Sequence, residues 1–281
     1  MIIDGFRKLV WKISSETPNF KGKLRMVNFL SRPTTPDGIN ITRDGVKWFI
    51  QGCDLNEFRA AVQKSHSGEI IDAINKEINK DKPTVIWDIG ANIGAISLPI
   101  LNKNINTVSY MFEPNAKVAG RLIGNVFLNP HLVERTKIIN VALSETNGLV
   151  NFYVGNTPKN SGMSGLGHSP DRYSFPVTLQ SYTGDKLISD GICESPDIIK
   201  IDVEGFEINV LKGLIMTLSN YHPKIIFEHS IFRLKEANQT NSAVTDFLRS
   251  IGYELFRLDN NKPVSADDIG QDGDFIAKLN A

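Results

Sequence analysis

From residue 83 onward, short apolar runs alternate with longer stretches whose apolar positions recur at helical spacing. Residues 84–88, 107–112, 136–141, 197–202 and 224–228 read as buried strands, rich in Val, Ile and aromatic side chains. Between and after them, residues 94–101, 115–129, 206–218 and 243–251 read as helices. Residues 253–258 and 275–279 supply two further strands, making seven. Parallel strands need crossovers and both sheet faces need cover, so this alternation predicts an α/β fold: a mostly parallel sheet with helices on both faces. The connection between the last two strands carries no clear helical pattern, so the last strand is expected to run antiparallel. Residues 149–154 and 175–179 look like a hairpin or excursion inserted between the third and fourth strands.

Ahead of residue 83 the pattern is weaker. Residues 31–45 read as a turn-rich connection, 46–50 as a short strand, and 55–63 and 69–78 as helices, the second with apolar residues at 70, 71, 74 and 78. A polar break at 80–83 separates an N-terminal extension, residues 1–82, from a main domain, residues 83–281. Residues 6–12 have two readings: a short basic amphipathic segment touching a membrane, or a surface helix packing through Leu9, Val10 and Trp11.

Composition narrows the classes. Lys plus Arg is 31 and Asp plus Glu is 31, which argues against bulk electrostatic binding to nucleic acid or an anionic membrane, though a local basic patch could hide inside that balance. No stretch of 18 apolar residues predicts a transmembrane helix, and the start of the chain lacks the pattern of a signal peptide. Cys53 and Cys193 are far apart and outside any CxxC spacing. They read as reduced buried thiols, and the expected location is cytoplasmic.

Open parallel sheets bind ligands beyond the carboxyl ends of their strands. The residues at those ends are Asp88, Glu113, Val141-Ala142, Asp202 and Glu228-His229. Four of the five positions are acidic. The first loop, Asp88-Ile89-Gly90-Ala91-Asn92-Ile93-Gly94, has G-x-x-x-G spacing rather than the G-x-G-x-x-G that cradles a pyrophosphate. Asp88 at its entrance would repel phosphate and suits a ligand carrying an ammonium group. Pro99 should cost a hydrogen bond in the following helix, which is expected to be kinked or short. Glu113, followed by Pro114, lies 19 residues after Gly94, the spacing at which a carboxylate reaches a ribose diol. Capping of the next helix is the plainer alternative for Glu113.

Asp-Ile-Gly-Ala-Asn-Ile-Gly at 88–94, Phe-Glu-Pro-Asn at 112–115, Asn-Val-Ala-Leu-Ser at 140–144 and Ile-Lys-Ile-Asp-Val-Glu-Gly-Phe-Glu at 199–207 together resemble the FkbM family of S-adenosylmethionine-dependent methyltransferases. The resemblance covers residues 68–253, and the 200–207 segment is its most specific part. It implies the class I methyltransferase fold, Rossmann-like, with a seven-stranded sheet. It also implies S-adenosylmethionine as cofactor and O-methylation of a carbohydrate or secondary-metabolite hydroxyl. Where the family often has Thr-Leu-Asp, this chain has Thr178-Leu179-Gln180.

On that reading the backbone of residues 90–94, including Gly90, Asn92 and Gly94, meets the methionine end. Asp88 orients the ammonium, Glu113 with Pro114 takes the ribose, and Asn140 and Ala142 lie beside the adenine. Glu69 resembles a family position near the cofactor; an exposed carboxylate at a helix start explains it equally well. Asp202 would sit near the methyl group, touching both cofactor and acceptor. A sugar hydroxyl is a poor nucleophile and needs a base, for which Asp202, His229 and Glu204 are the candidates. Glu207 is better placed to cap or to pair with a neighbour. The same carboxylates could instead hold a divalent cation. The glycine- and serine-rich residues 155–175 read as a lid over the acceptor or a plain loop. The partner is a small-molecule or glycan hydroxyl acceptor, with oligomeric state open. An NAD-linked oxidoreductase and a non-catalytic cofactor-binding module are the other readings.

Overall fold

The computed structural model describes residues 5–7, 9–10, 13–14, 17, 22–31, 38–51, 54, 57, 68–155, 165–166 and 175–279. Most of the expected helix at 55–63, Cys53 and most of the expected lid at 155–175 lie outside the described residues. In chain order the elements begin with α1 (Lys23–Ser31), β1 (Gly38–Arg43), β2 (Val46–Gln51), α2 (Gly68–Glu77), β3 (Thr84–Ile89), α3 (Ser97–Lys103), β4 (Thr107–Phe112), α4 (Ala116–Phe127) and β5 (Thr136–Ile139). An excursion follows: β6 (Ala142–Leu143), β7 (Gly148–Val154), β8 (Gly165–Leu166) and β9 (Phe175–Tyr182). The chain continues through α5 (Gly184–Ser189), β10 (Ile198–Ile201), α6 (Glu207–Lys212), α7 (Ile215–Tyr221), β11 (Lys224–His229) and α8 (Ile231–Glu236). It closes with α9 (Ala243–Ser250), β12 (Tyr253–Arg257), α10 (Ala266–Ile269) and β13 (Gly273–Leu279).

The central sheet has seven strands in the order β12-β13-β11-β10-β3-β4-β5. Its core strands are parallel, and β13 runs antiparallel to both β11 and β12. This is the mostly parallel class I arrangement expected from the pattern, with the last strand reversed as predicted. The chain winds outward from β3 through β4 to β5, then returns to the other side of β3 to lay down β10 and β11. The crevice where that direction reverses lies between β3 and β10, the place such sheets bind ligands.

Alternate side chains of the strands build the two faces. Trp87, Ile89, Tyr110, Phe112, Ile199, Ile201 and Phe227 pack against Leu187, Leu211 and Leu248 from α5, α6 and α9. On the opposite face Ile86, Ile198, Ile226 and Ile276 pack under Ile74 of α2 and Ile100 of α3. Ile74 of the extension is fully buried in this cluster, so the hydrophobic packing runs continuously across the expected boundary at residue 82.

Three local readings change. Residues 38–43, read as part of a turn-rich connection, form β1 and pair antiparallel with β2. The turn is Asp44-Gly45, both at positive φ (52° and 77°), the geometry that tight hairpins require. Pro99 costs no hydrogen bond: α3 starts only at Ser97, so the proline sits in the first turn, whose N–H groups have no intrahelical partner. The helix is short, as expected, for this different reason. The helix expected over 206–218 is two, α6 and α7, divided at Gly213-Leu214. A Cβ on Gly213 would lie 2.1 Å from the Ser144 carbonyl oxygen, so the break is where the chain packs on β6.

Candidate functional site

The ends of β3, β4 and β10 are drawn together by glycine and by one lysine. Gly90 has φ +78°, and a Cβ there would sit 1.9 Å from the Asp202 carbonyl oxygen. Only glycine permits that close approach between the first loop and the end of β10. The Gly90 and Ala91 N–H groups both donate to the Phe112 carbonyl at 3.0 Å, fastening the loop to β4. Gly94, at φ +88°, is held by packing, since a Cβ would press on Leu122 and Leu98.

Lys200 lies in the run Ile-Ile-Lys-Ile of β10 and is buried. Parallel register places it beside Asp88 on the same face of the sheet. Its ammonium donates to the Gly90 carbonyl at 2.9 Å, and lies 3.2 Å from Asp88 Oδ1 and 3.6 Å from Asp202 Oδ2. Burial lowers its pKa, but the carboxylates of Asp88 and Asp202 outweigh burial, and the net shift is upward. The other Asp88 oxygen accepts from Ser97 Oγ at 2.7 Å. Asp88 is therefore fully buried and committed to Lys200 and Ser97, rather than presented to a ligand ammonium.

Glu113 ties the first loop to the second strand end. One carboxylate oxygen accepts from the Asn92 N–H and the other from the Asn115 N–H, both at 2.9 Å. Burial raises its pKa to about 7, against the lowering effect of those two N–H groups. Helix α4 is capped by Asn115 itself, whose side chain accepts from Lys117 and Val118. Asn92 holds φ +51°, and its Oδ1 is buried with no hydrogen-bond partner among the described residues. Asn140 donates from Nδ2 to the Glu113 and Pro114 carbonyls, at 2.6 and 3.1 Å, so it braces the same corner. Ala142 is buried at the start of β6, where it pairs with Ser181.

A row of carboxylates crosses the adjoining strand ends. Ile201 is level with Phe227, so one step on brings Asp202 beside Glu228, and Glu228 is directly opposite Asp274 of β13. Like charges facing each other across strands destabilise a sheet. The pKa of Glu228 is raised, first by the Asp202 charge, then by burial and by Glu204 and Asp274. Asp274 is raised to about 6 by burial, with Asp202 and Glu69 adding to it. Glu69, exposed in the first turn of α2, thus contributes its charge to the row.

Two residues expected as bases are placed otherwise. Side chains alternate along a strand, so Glu228 and His229 cannot face the same side. His229 is buried, with Nε2 3.0 Å from the Ile269 carbonyl oxygen and its ring stacked on Phe275. Glu204, at φ +57°, is paired with the Arg233 guanidinium, which also holds Glu236. Burial, with Asp202 nearby, raises the Glu204 pKa to about 8. Glu207 caps the turn as anticipated, accepting from the Val203 and Gly205 N–H groups. Gly205 is needed there because a Cβ would meet the Arg233 carbonyl oxygen at 2.5 Å. The 200–207 motif is thus the tie to the first loop, the half-exposed Asp202 and the turn that follows.

Lys200 and Asp274 were not singled out from the sequence. The signal for the first was a lysine inside an otherwise wholly apolar parallel strand. The second lay just outside the expected start of the last strand. Among the described residues, no group of three or more His, Cys, Asp or Glu is arranged to hold a metal ion. The Cys193 thiol is free and buried, and burial pushes its pKa up to about 12.

Residues 88–255 match the model of the methyltransferase FkbM domain. The chain is 26% identical over 199 residues to the hexuronic acid methyltransferase AglP of Haloferax volcanii, an alignment covering 69% of this chain and 77% of that one. It is 29% identical over 214 residues to the 2-O-methyltransferase NoeI of Sinorhizobium fredii, covering 72% and 85%. Among solved structures it resembles the methyltransferase FkbM from Methylobacillus flagellatus, with a TM-score of 0.46 and 18% identity, covering 69% of this chain and 43% of that chain. With its seven-stranded sheet and its strand-end motifs, the chain belongs to the FkbM family of methyltransferases, and it is an enzyme.

Proposed function

We propose that the protein transfers a methyl group from S-adenosylmethionine to a hydroxyl of a carbohydrate. The observation that carries this reading is the Glu113 carboxylate, held by the Asn92 N–H of the Gly90–Gly94 loop at the switch point, with the end of β10 at Asp202 pressed against Gly90 of the same loop. The residues present suit such a cofactor. Asn92 Oδ1 is a buried polar atom in want of a partner among the described residues, and the adjoining strand ends are acidic, which suits a positively charged sulfonium. Each Glu113 oxygen spends one lone pair on an N–H and keeps another for a ribose hydroxyl. Bound S-adenosylmethionine supplies an activated methyl group on a positively charged sulfur.

The protein's own task is to orient the acceptor and take its proton. Asp202 and Glu228 lie side by side beyond the paired Ile201 and Phe227, and the Asp202 charge is the largest influence raising the Glu228 pKa. The Asp202 charge and burial keep the Glu228 carboxyl protonated into a higher pH range than an ordinary carboxyl. Asp202, with a half-exposed side chain, meets the acceptor, and Glu228 is its proton partner. Lys200 holds Asp202 from behind. The named activities of the two relatives, on a hexuronic acid and at a 2-O position, support a sugar hydroxyl as the acceptor class.

The test is transfer of a labelled methyl group from S-adenosylmethionine to a panel of neutral and uronic sugars. A sugar gaining one CH2 is expected, with Asp202→Asn lowering kcat by about a hundredfold. If no sugar accepts the methyl group, or if Asp202→Asn keeps full kcat, the reading fails.

A further inference from the structure

Two stripes of large apolar side chains stand exposed on the residues ahead of β1. In α1, Val27 is buried against Val46 and Trp48 of the β1–β2 hairpin. Phe29 lies about 200° around the helix from Val27 and is 89% exposed. Met26 and Leu30 flank it, and Arg25 shares that outer face. Phe6, Leu9 and Ile13 follow one another at helical spacing, i, i+3, i+7. They are equally bare: with Met26 and Leu30, all lie between 47% and 55% exposed. Val10 and Ser14, by contrast, are turned inward. The inner faces are satisfied by packing, so the outer stripes are surplus to the fold.

The segment that carries them is also basic, with Arg25 exposed and Lys23 buried. Seven of the first 32 residues are Lys or Arg and two are acidic, in a chain whose totals balance at 31 and 31. The remainder therefore carries an acidic excess. Helices at a bilayer surface combine this pattern: Phe, Leu and Ile enter the headgroup boundary, while Lys and Arg meet lipid phosphates. A nucleic acid would use the cations and leave the apolar stripes in water. A second copy docked by two-fold symmetry would bring two basic segments together. Neither accounts for both features.

We propose that residues 1–32 dock the enzyme onto an anionic lipid surface through Phe6, Leu9, Ile13, Met26, Phe29 and Leu30. No helix among the described residues is long and apolar enough to cross a membrane, so the contact is one of lying on the surface.

The test is co-sedimentation of the full chain with phosphatidylcholine vesicles, with and without phosphatidylglycerol. Binding at least about tenfold stronger to the anionic vesicles is expected, weakening as salt is raised. The Met26→Ser/Phe29→Ser variant should lose most of it, and Arg25→Glu part of it. These side chains are exposed, so the circular dichroism spectrum and Tm should match the parent protein. The inference is overturned if anionic vesicles do not pellet the protein, or if Met26→Ser/Phe29→Ser binds them as the parent does. It is also overturned if the parent is a dimer that this variant converts to a monomer, or if it binds duplex DNA but not vesicles.

Discussion

A lysine inside a buried parallel strand must be neutralised by its neighbours, and Lys200 meets two carboxylates and a carbonyl oxygen within 3.6 Å. Replacing one partner of such a group strands the other. Lys200→Met should leave Asp88 buried without its cation and cost about 3–5 kcal/mol, measured by urea denaturation. The Asp88→Asn/Lys200→Met double variant should cost less than Lys200→Met alone, because no stranded charge remains. At this scale the strand-end acids were legible, because an apolar run shows where its strand stops. The facing of each acid was less so. Glu228 and His229 are adjacent, and the choice of side was settled by packing of His229 on Phe275, a contact with a strand 46 positions away.

Element boundaries followed the hydrophobic pattern in the sheet and departed from it where glycine and proline act. Pro99 read as a helix breaker, yet α3 begins late enough to place it in the first turn. An interior proline costs about 3 kcal/mol relative to alanine. Pro99→Ala should therefore change unfolding free energy by less than about 1 kcal/mol, and a gain near the full interior value would show that the helix begins earlier. The division at Gly213 was hidden because its cause is the Ser144 carbonyl, on a segment remote in sequence. The Asp44-Gly45 pair, in contrast, was a hairpin signal present in the sequence, flanked by alternating Ile39, Ile41, Val46 and Trp48.

Over the whole molecule, zero net charge conceals a separation: basic residues gather in the first 32 positions and acidic ones at the strand ends. The acidic row makes stability depend on pH. Asp274 titrates near 6 and Glu204 near 8, both above their ordinary values. The folded state therefore binds more protons than the unfolded chain across this range. Their stabilising protonation is fully present below about pH 4 and is lost as pH rises through 6 to 8. Thermal melts should show Tm falling over that interval. Glu228→Gln removes one member of the facing pair and should raise Tm at pH 8 by about 2–4 °C, equivalent to about 1 kcal/mol, with little gain at pH 5. An equal gain at both would remove charge repulsion as the cause.

The mostly parallel sheet with its reversed last strand was readable from the alternation of elements, whereas the strand order, and with it the crevice, came from the folded chain. What binds there is measured most directly by titrating the protein with S-adenosylhomocysteine in a calorimeter. The predicted result is a single saturable site with a micromolar Kd, weakened about tenfold or more in Glu113→Ala. Absence of binding up to millimolar concentration, or a Kd unchanged by Glu113→Ala, would contradict the assignment of this crevice as the cofactor site.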